Sequence, residues 1–206
     1  IYALMALLAL AALLLGGLLL QSSYRYREAF NWVRHSQEVI ISLDMLLANL
    51  GEAESGLRGY LLTNDASYLA RFDGNLAQAE TLRDQIVVLV SDNPLQLRRA
   101  EILRAKAVQK ADIMRFAVQR GRQVGAVRAA DPDARSKARR LMGDIVGLST
   151  DIREEERRLF HDRTEAANAS YVTLRTLLLI GCSLIALLIL LLAWQVRSGM
   201  TGPLGD

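Results

Sequence analysis

The sequence has few of the residues that build disulfide or metal-bound frameworks. Its 206 residues include one cysteine, two histidines and three prolines. Cys182 alone cannot form a disulfide within one chain, and His35 and His161 cannot by themselves complete a metal site. We therefore expect no metal site and no cofactor.

Motifs for catalysis and signs of nucleic-acid binding are also missing. The sequence lacks a P-loop, a dinucleotide-binding glycine loop, an H-E-x-x-H motif and a nucleophile elbow. The formal net charge is only +3, and basic and acidic residues interleave along the middle of the chain instead of clustering. We expect neither a catalytic residue in these 206 residues nor a nucleic-acid partner.

Hydrophobic residues, by contrast, make up 51% of the chain, although aromatic residues contribute only 6%. With so few prolines, this composition favours long helices over sheets. Residues 1–20 and 177–194 form apolar runs that would span about 30 Å as helices, enough to cross a bilayer. We predict transmembrane helices at 1–22 and 172–196, with both ends of the chain in the cytoplasm and residues 24–171 outside it.

Turn and cap signals divide the region between the two spans into four helices. The signals lie at residues 63–65, 93–96 and 126–132, the last of them an irregular link before a new cap. In the second signal, Asn93 suits an N-cap, Pro94 suits the first helical turn, and Gln96 suits a side chain that returns to the cap. The first and fourth helices carry no stop signal next to the spans. We predict an all-α, up-down four-helix bundle whose long first and fourth helices continue into the membrane.

The first helix carries a heptad seam in which a glutamate replaces an apolar residue. The seam consists of Val33, Ser36, Ile40, Leu43, Leu47, Leu50, Glu54, Leu57 and Leu61. A packed glutamate must pair with a cation or have a raised pKa. Arg58 lies one turn away on the same helix. Arg139 and Arg140 of the fourth helix lie at a similar height, as judged from the rise per residue, and are the expected partners from another helix.

Two interpretations of Glu54 remain open: a salt bridge that fixes helix register, or part of a polar pocket between helices that senses a ligand. Glu155 is a second acid on a seam, that of the fourth helix, although the run Glu154–Glu156 also fits a solvated surface paired with Arg157 and Arg158. The candidate sensing residues are Glu54, Arg58, Gly59, Tyr60, Arg139, Arg140 and Glu155.

Three glycines surround this glutamate. Gly51, Gly56 and Gly59 each cost a helix about 1 kcal/mol relative to alanine. Close approach of another helix or of a ligand would compensate for that cost. The remaining alternatives are a hinge, or fraying of the helix at Gly56.

These residues resemble a known family. The run Glu54-x-x-x-Arg58-Gly59-Tyr60-Leu61-Leu62, the following segment Asn64–Leu69, and Asp92-Asn93-Pro94 are similar to the third class of CHASE domain over roughly Arg34 to Arg163. That class is the extracellular four-helix sensory module of bacterial histidine kinases, nucleotide cyclases and chemoreceptors. The resemblance implies a dimeric sensor joined to a cytoplasmic output domain, and it implies no single ligand.

We therefore expect a two-pass receptor of the bacterial inner membrane that acts as the input module of a sensor histidine kinase in two-component signalling. Its expected partners are the lipid bilayer, a second copy of the chain, an unknown small-molecule or protein signal, and an output domain in the same chain. Residues 197–206 include Thr201-Gly202-Pro203, which resembles the start of a HAMP linker. A chemoreceptor or a cyclase would look identical over these residues. A structural coiled-coil tether would show the heptads without needing Glu54, Arg58 and the glycines.

Overall fold

The structure is a computed structural model that describes residues 2–125 and 131–200, except for the side chains of residues 2–4, 7, 8 and 198–200. Within these ranges the chain forms four α-helices and no strand: α1 (Tyr2–Thr63), α2 (Ser67–Leu89), α3 (Pro94–Val124) and α4 (Pro132–Met200). The prediction of an all-α four-helix fold is confirmed. The predicted irregular link at 126–130 and the HAMP-like start at 201–206 lie outside the described residues.

The chain divides into two compact units. One contains Ile1–Val33 and His161–Asp206, and the other contains Arg34–Phe160. Helices α1 and α4 each contribute to both units without a break in the helix.

Local side-chain chemistry sets the ends of the helices in the Arg34–Phe160 unit. Asp65 accepts a hydrogen bond from the Ser67 amide at the start of α2. Asn93 accepts from the amides of Leu95 and Gln96 at the start of α3, and Asp131 caps α4 in the same way. These side chains satisfy amide groups that have no partner within the helix.

The expected return of the Gln96 side chain to the cap is wrong. Its amide instead donates to the carbonyl oxygen of Ile152 at 3.2 Å, across the bundle on α4. Gln96 is completely buried, which directs its amide nitrogen towards α4 and away from the end of its own helix. The residue therefore connects α3 to α4 and does not complete a capping box.

Contacts between the helices follow an up-down order. Short links of three or four residues connect α1 to α2 and α2 to α3, as expected for antiparallel neighbours. Between α3 and α4, Gln96 contacts Ile152, while Lys106 pairs with Asp144 at 2.6 Å further along. Since the residue number rises along α3 while that of its partner on α4 falls, the two helices run in opposite directions.

The core of this unit is a single apolar cluster whose members all lie between Val39 and Ile152. In α1 the buried residues recur at steps of three and four, as predicted, but only four of the nine predicted seam positions are among them. The buried residues of α1 in this unit are Ser36, Val39, Ser42, Leu43, Leu46, Leu50, Ala53, Gly56, Leu57 and Tyr60. Ile40, Leu47, Glu54 and Leu61 are instead partly buried, at the edge of the packed face.

The Ile1–Val33 and His161–Asp206 unit is a pairing of α1 with α4. The Tyr26 ring lies 6.2 Å from the Tyr171 ring between centroids, and the Arg163 guanidinium stacks over Trp32 at 4.7 Å. Among the described residues searched, one helix, within Pro132–Arg197, is long and apolar enough to cross a membrane. The first predicted span, 1–22, falls partly on residues whose side chains are not described.

Candidate functional site

A cavity of about 490 Å³ lies between α1, α3 and α4 within the Arg34–Phe160 unit. Its apolar wall is formed by Leu57, Leu61, Ile113, Met114, Phe116 and Ala117. Its charged lining consists of Glu54, Arg58, Lys110, Arg120, Asp131, Arg135 and Arg139. The cavity therefore combines an apolar wall with seven ionisable side chains.

Glu54 and Lys110 form the ion pair at the inner end of this lining. The Lys110 ammonium donates to Glu54 Oε2 at 2.7 Å and contacts the carbonyl oxygen of Ala138 on α4 at 3.5 Å. The Lys110 side chain is 0% exposed, whereas that of Glu54 is 26% exposed. Arg58 donates to the other carboxylate oxygen, Oε1. One carboxylate thus ties α1 to α3 and keeps an arginine of its own helix beside the cavity.

The pKa of Glu54 reflects this double pairing. Burial by itself raises the pKa of the carboxyl, but the hydrogen bond and charge of Lys110, followed by those of Arg58, together outweigh burial and leave the pKa below its ordinary value. Of the two outcomes expected for a glutamate on a seam, pairing with a cation is the one observed. The cation from another helix is Lys110 of α3, where the sequence favoured Arg139 or Arg140 of α4.

Arg139 and Arg140 are neighbours in the chain that lie differently relative to the cavity. Arg139 lines it, together with Arg135 one turn earlier. Arg140 is exposed and does not line it. Within the described part of the chain, neither Arg135 nor Arg139 pairs with a carboxylate, whereas Arg120 lies 3.5 Å from Asp131.

Glycines and Tyr60 set how closely the neighbouring helices approach α1. A Cβ atom at Gly56 would lie 3.0 Å from the backbone nitrogen of Phe72, and one at Gly59 would overlap the Tyr68 ring. Tyr60 is buried, and its ring packs where a Cβ atom at Gly121 of α3 would lie, at 2.9 Å. Close approach of another helix therefore accounts for Gly56 and Gly59. It does not account for Gly51, which faces open space.

Glu155 does not line the cavity. It forms an ion pair with Arg158 of the same helix at 2.7 Å, and the hydrogen bond from Arg158 lowers its pKa. The buried acid of this region is its neighbour Glu156, which is 3% exposed and lies 3.5 Å from the Gln96 amide. The seam of α4 passes through Glu156 and not through Glu155, so the predicted self-paired surface describes Glu155 but is wrong for Glu156.

Lys110 was missed as a functional residue. It lies on the same face of α3 as Leu103, Ala107 and Met114, although the apolar spacing of that helix favours its neighbour Ala111 as the buried residue. The signal that could have found it is a lysine within a stripe of buried small residues, in a chain with only three lysines. Among the described residues, no group of three or more potential metal ligands comes together.

A family model described as the CHASE3 domain matches residues 29–166, more than half of the chain. No curated protein matches the chain significantly, and no solved structure does so. The matched range includes the whole cavity and the Glu54, Arg58 and Lys110 side chains.

Proposed function

The chain belongs to the CHASE3 domain family, and on that premise we propose that it is the input module of a two-pass bacterial receptor with a histidine kinase as its output. CHASE3 is an extracellular sensory input domain of signalling receptors. The proposal adds the direction of transmission, the kind of output and the residues that sense the signal.

The observation that carries this proposal is the continuity of two helices. Helix α1 runs unbroken over Tyr2–Thr63, and α4 runs over Pro132–Met200. Each contributes one part to the Arg34–Phe160 unit, which contains the cavity, and the other part to the unit of Ile1–Val33 and His161–Asp206. A helix without a joint passes a shift, tilt or rotation at one end to the other. A coupling of about 1 to 3 kcal/mol is sufficient for such a signal.

The proposed topology has membrane helices at 1–22 and 172–196, with the sensor domain at 24–171 on the periplasmic or extracellular side of the inner membrane. Residues 197–206 then begin the cytoplasmic linker, of HAMP type, to an output domain in the same chain. The receptor works as a homodimer in the bilayer, because paired membrane helices supply two packings between which a signal selects.

The proposed sensing site is the cavity between α1, α3 and α4. Glu54, Arg58 and Arg139 line it, and Gly59 and Tyr60 hold α2 and α3 against α1. Arg140 and Glu155 lie off the cavity and have no part in the proposed site. An occupant that moves α1 relative to α4 here acts on the two helices that continue towards the membrane.

Transmission is tested by a proline at Ala166, an exposed position of α4 near the membrane end of the proposed sensor domain. Proline removes a backbone hydrogen bond and disrupts a helix at a cost of about 3 kcal/mol. The full-length receptor is assayed in membrane vesicles with γ-labelled ATP, and acid-labile product identifies phosphohistidine. We expect Glu54→Gln to change the labelling rate in the Ala166→Gln background and to have no effect in the Ala166→Pro background.

Each departure from that result has a distinct meaning. An equal effect of Glu54→Gln in both backgrounds would contradict transmission through α4. Absence of acid-labile label would reassign the output to a chemoreceptor or a cyclase. Unchanged labelling by both Glu54→Gln and Gly59→Ala in the unbroken helix would favour a structural tether.

A further inference from the structure

The geometry points to a ligand class for the proposed sensing cavity, and this inference rests on the proposed function. We infer that the cavity binds a small organic anion, with an apolar body of aliphatic or aromatic carbon and a single carboxylate head. The charge balance of the lining, the state of its individual donors, and the size and chemistry of its wall carry the inference.

The lining carries an excess of positive charge. Five cations, Arg58, Lys110, Arg120, Arg135 and Arg139, face two carboxylates, Glu54 and Asp131, an excess of three. Guanidinium groups around a partly enclosed cavity attract an anion and repel a metal cation or an amine. A carboxylate ligand would bring the lining closer to neutrality.

Several donors in the cavity remain available for such a head group. Arg135 and Arg139 lie one turn apart on α4, which places them on the same face of the helix. Neither pairs with a carboxylate in the described ranges, so their planar forks can bind a carboxylate in bidentate fashion. Lys110 adds its positive charge to the lining, but its side chain is fully buried and its ammonium donates to Glu54.

The rest of the cavity suits carbon. Leu57, Leu61, Ile113, Met114, Phe116 and Ala117 supply a wall without polar side-chain groups. The volume of about 490 Å³ falls within the range of about 300 to 1,000 Å³ that is usual for small-molecule pockets. Inorganic phosphate or acetate would leave this wall in contact with water, so the apolar body is as much a part of the recognition as the charge.

The test is calorimetric titration of the whole chain in nanodiscs of phosphatidylcholine, with empty nanodiscs as the background. The probes are naphthalene-2-carboxylate and octanoate. Each is paired with its neutral amide, which has the same shape without the charge. We expect at least one of the carboxylates to bind about tenfold more tightly than its amide, since charge-assisted bonds are the stronger ones. Acetate should not bind measurably.

Variants connect the binding to this cavity. Arg139→Gln should weaken binding of the carboxylate about tenfold by removing one bidentate partner. Arg140→Gln is the matched control: it makes the same change at the next residue, off the cavity, and should alter affinity less than about twofold. Ala117→Phe fills the apolar end and should weaken binding by about tenfold or more. Arg139 and Arg140 are both exposed, so neither substitution threatens folding.

The inference is overturned if neither carboxylate binds at millimolar concentration, if acid and amide bind equally, or if Arg139→Gln and Arg140→Gln behave alike. Because titration needs no output domain, it is independent of the Ala166→Pro experiment. Failure of binding with intact coupling would remove this ligand class and leave the proposed function standing. Carboxylate binding without an effect of Ala166→Pro on coupling would support this ligand class and contradict the proposed transmission through α4.

Discussion

At the scale of single residues, the two members of the central ion pair are not equivalent. Lys110 is fully enclosed, and among the residues that the structure describes Glu54 is the carboxylate that pairs with it. Glu54 is partly exposed and has Arg58 as a second cation. A buried charge that loses its partner is strongly destabilising, whereas a partly solvated charge with a remaining partner is not. The cost of a substitution should therefore depend on which member is replaced.

We predict that Glu54→Gln lowers the free energy of unfolding by about 3 kcal/mol, because it leaves the Lys110 ammonium buried without a carboxylate. Lys110→Met should cost only about 1 kcal/mol, since methionine fills much of the volume and Glu54 keeps Arg58. The combined variant should recover part of the loss seen in Glu54→Gln. Denaturant unfolding of the chain in detergent micelles measures all three. A larger cost for Lys110→Met than for Glu54→Gln would contradict this asymmetry.

The dependence of the unfolding free energy on pH, measured in acid, is a second test of the same ion pair. The pKa of Glu54 lies below its ordinary value of 4.5, so the folded state binds this proton less readily than the unfolded state does. Its contribution is present above about pH 4.5 and is lost as the pH falls through the lower folded-state pKa. In Glu54→Gln the dependence of the unfolding free energy on pH should become shallower in that acidic window and stay unchanged near pH 7.

At the scale of helices, the close approach of α1 to α2 depends on Gly56 and not on Gly51. A Cβ atom at Gly56 would meet the Phe72 nitrogen at 3.0 Å and the Tyr68 carbonyl oxygen at 3.1 Å, whereas one at Gly51 would meet nothing within 4 Å. Backbone atoms cannot rotate aside as a side chain can. The same glycine-to-alanine substitution should therefore change the stability of the chain in opposite directions at these two sites.

We predict that Gly56→Ala destabilises the chain by about 1 to 3 kcal/mol because α2 must move away from α1. Gly51→Ala should stabilise it by up to about 1 kcal/mol, since alanine is the better helix former and the site is open. Thermal unfolding followed by circular dichroism in detergent compares the two. Equal stabilisation by both substitutions would show that α1 and α2 do not approach each other at Gly56.

The helices illustrate what a sequence pattern can predict and what it cannot. Steps of three and four identified the packed side of α1, and Leu43, Leu50 and Leu57 are buried as predicted. The alternate positions were wrong by one residue: Val39 is buried and Ile40 only partly so. Adjacent apolar residues differ by about 100° around a helix, so the rotation that selects one of them depends on where the other helices lie.

The same reason explains the polar residues that were missed. Gln96 was predicted to bond locally to its cap, but it bonds across the bundle to α4. Apolar spacing favours Ala111 over Lys110 as the inward residue, although both are buried. Caps and turns require only neighbours in the chain, so the sequence predicts them well. Pairs such as Glu54 with Lys110, 56 residues apart, require the relative positions of two helices that no local pattern contains.

At the scale of the whole molecule, the predictions that need only neighbouring residues or one continuous run of sequence agree best with the structure. The starts of α3 and α4 at Pro94 and Pro132, and the unbroken course of α4, all follow from cap, proline and apolar-run signals. The family assignment likewise rests on a motif and on the length of the helical region. The arrangement in the membrane is a proposal that also depends on sequence runs. It combines two long apolar runs with the side of the membrane on which the bundle lies.

We predict that the bundle lies outside the cytoplasm and the end of α4 inside. In a Cys182→Ser background, which removes the one native cysteine, Ser91→Cys places a thiol at the exposed link between α2 and α3, and Ser198→Cys places one just beyond the second span. A membrane-impermeant maleimide added to intact spheroplasts should label Ser91→Cys and label Ser198→Cys only after lysis. Labelling of both Ser91→Cys and Ser198→Cys without lysis would show that α4 does not cross the membrane between them, and labelling of Ser198→Cys alone would reverse the proposed sides.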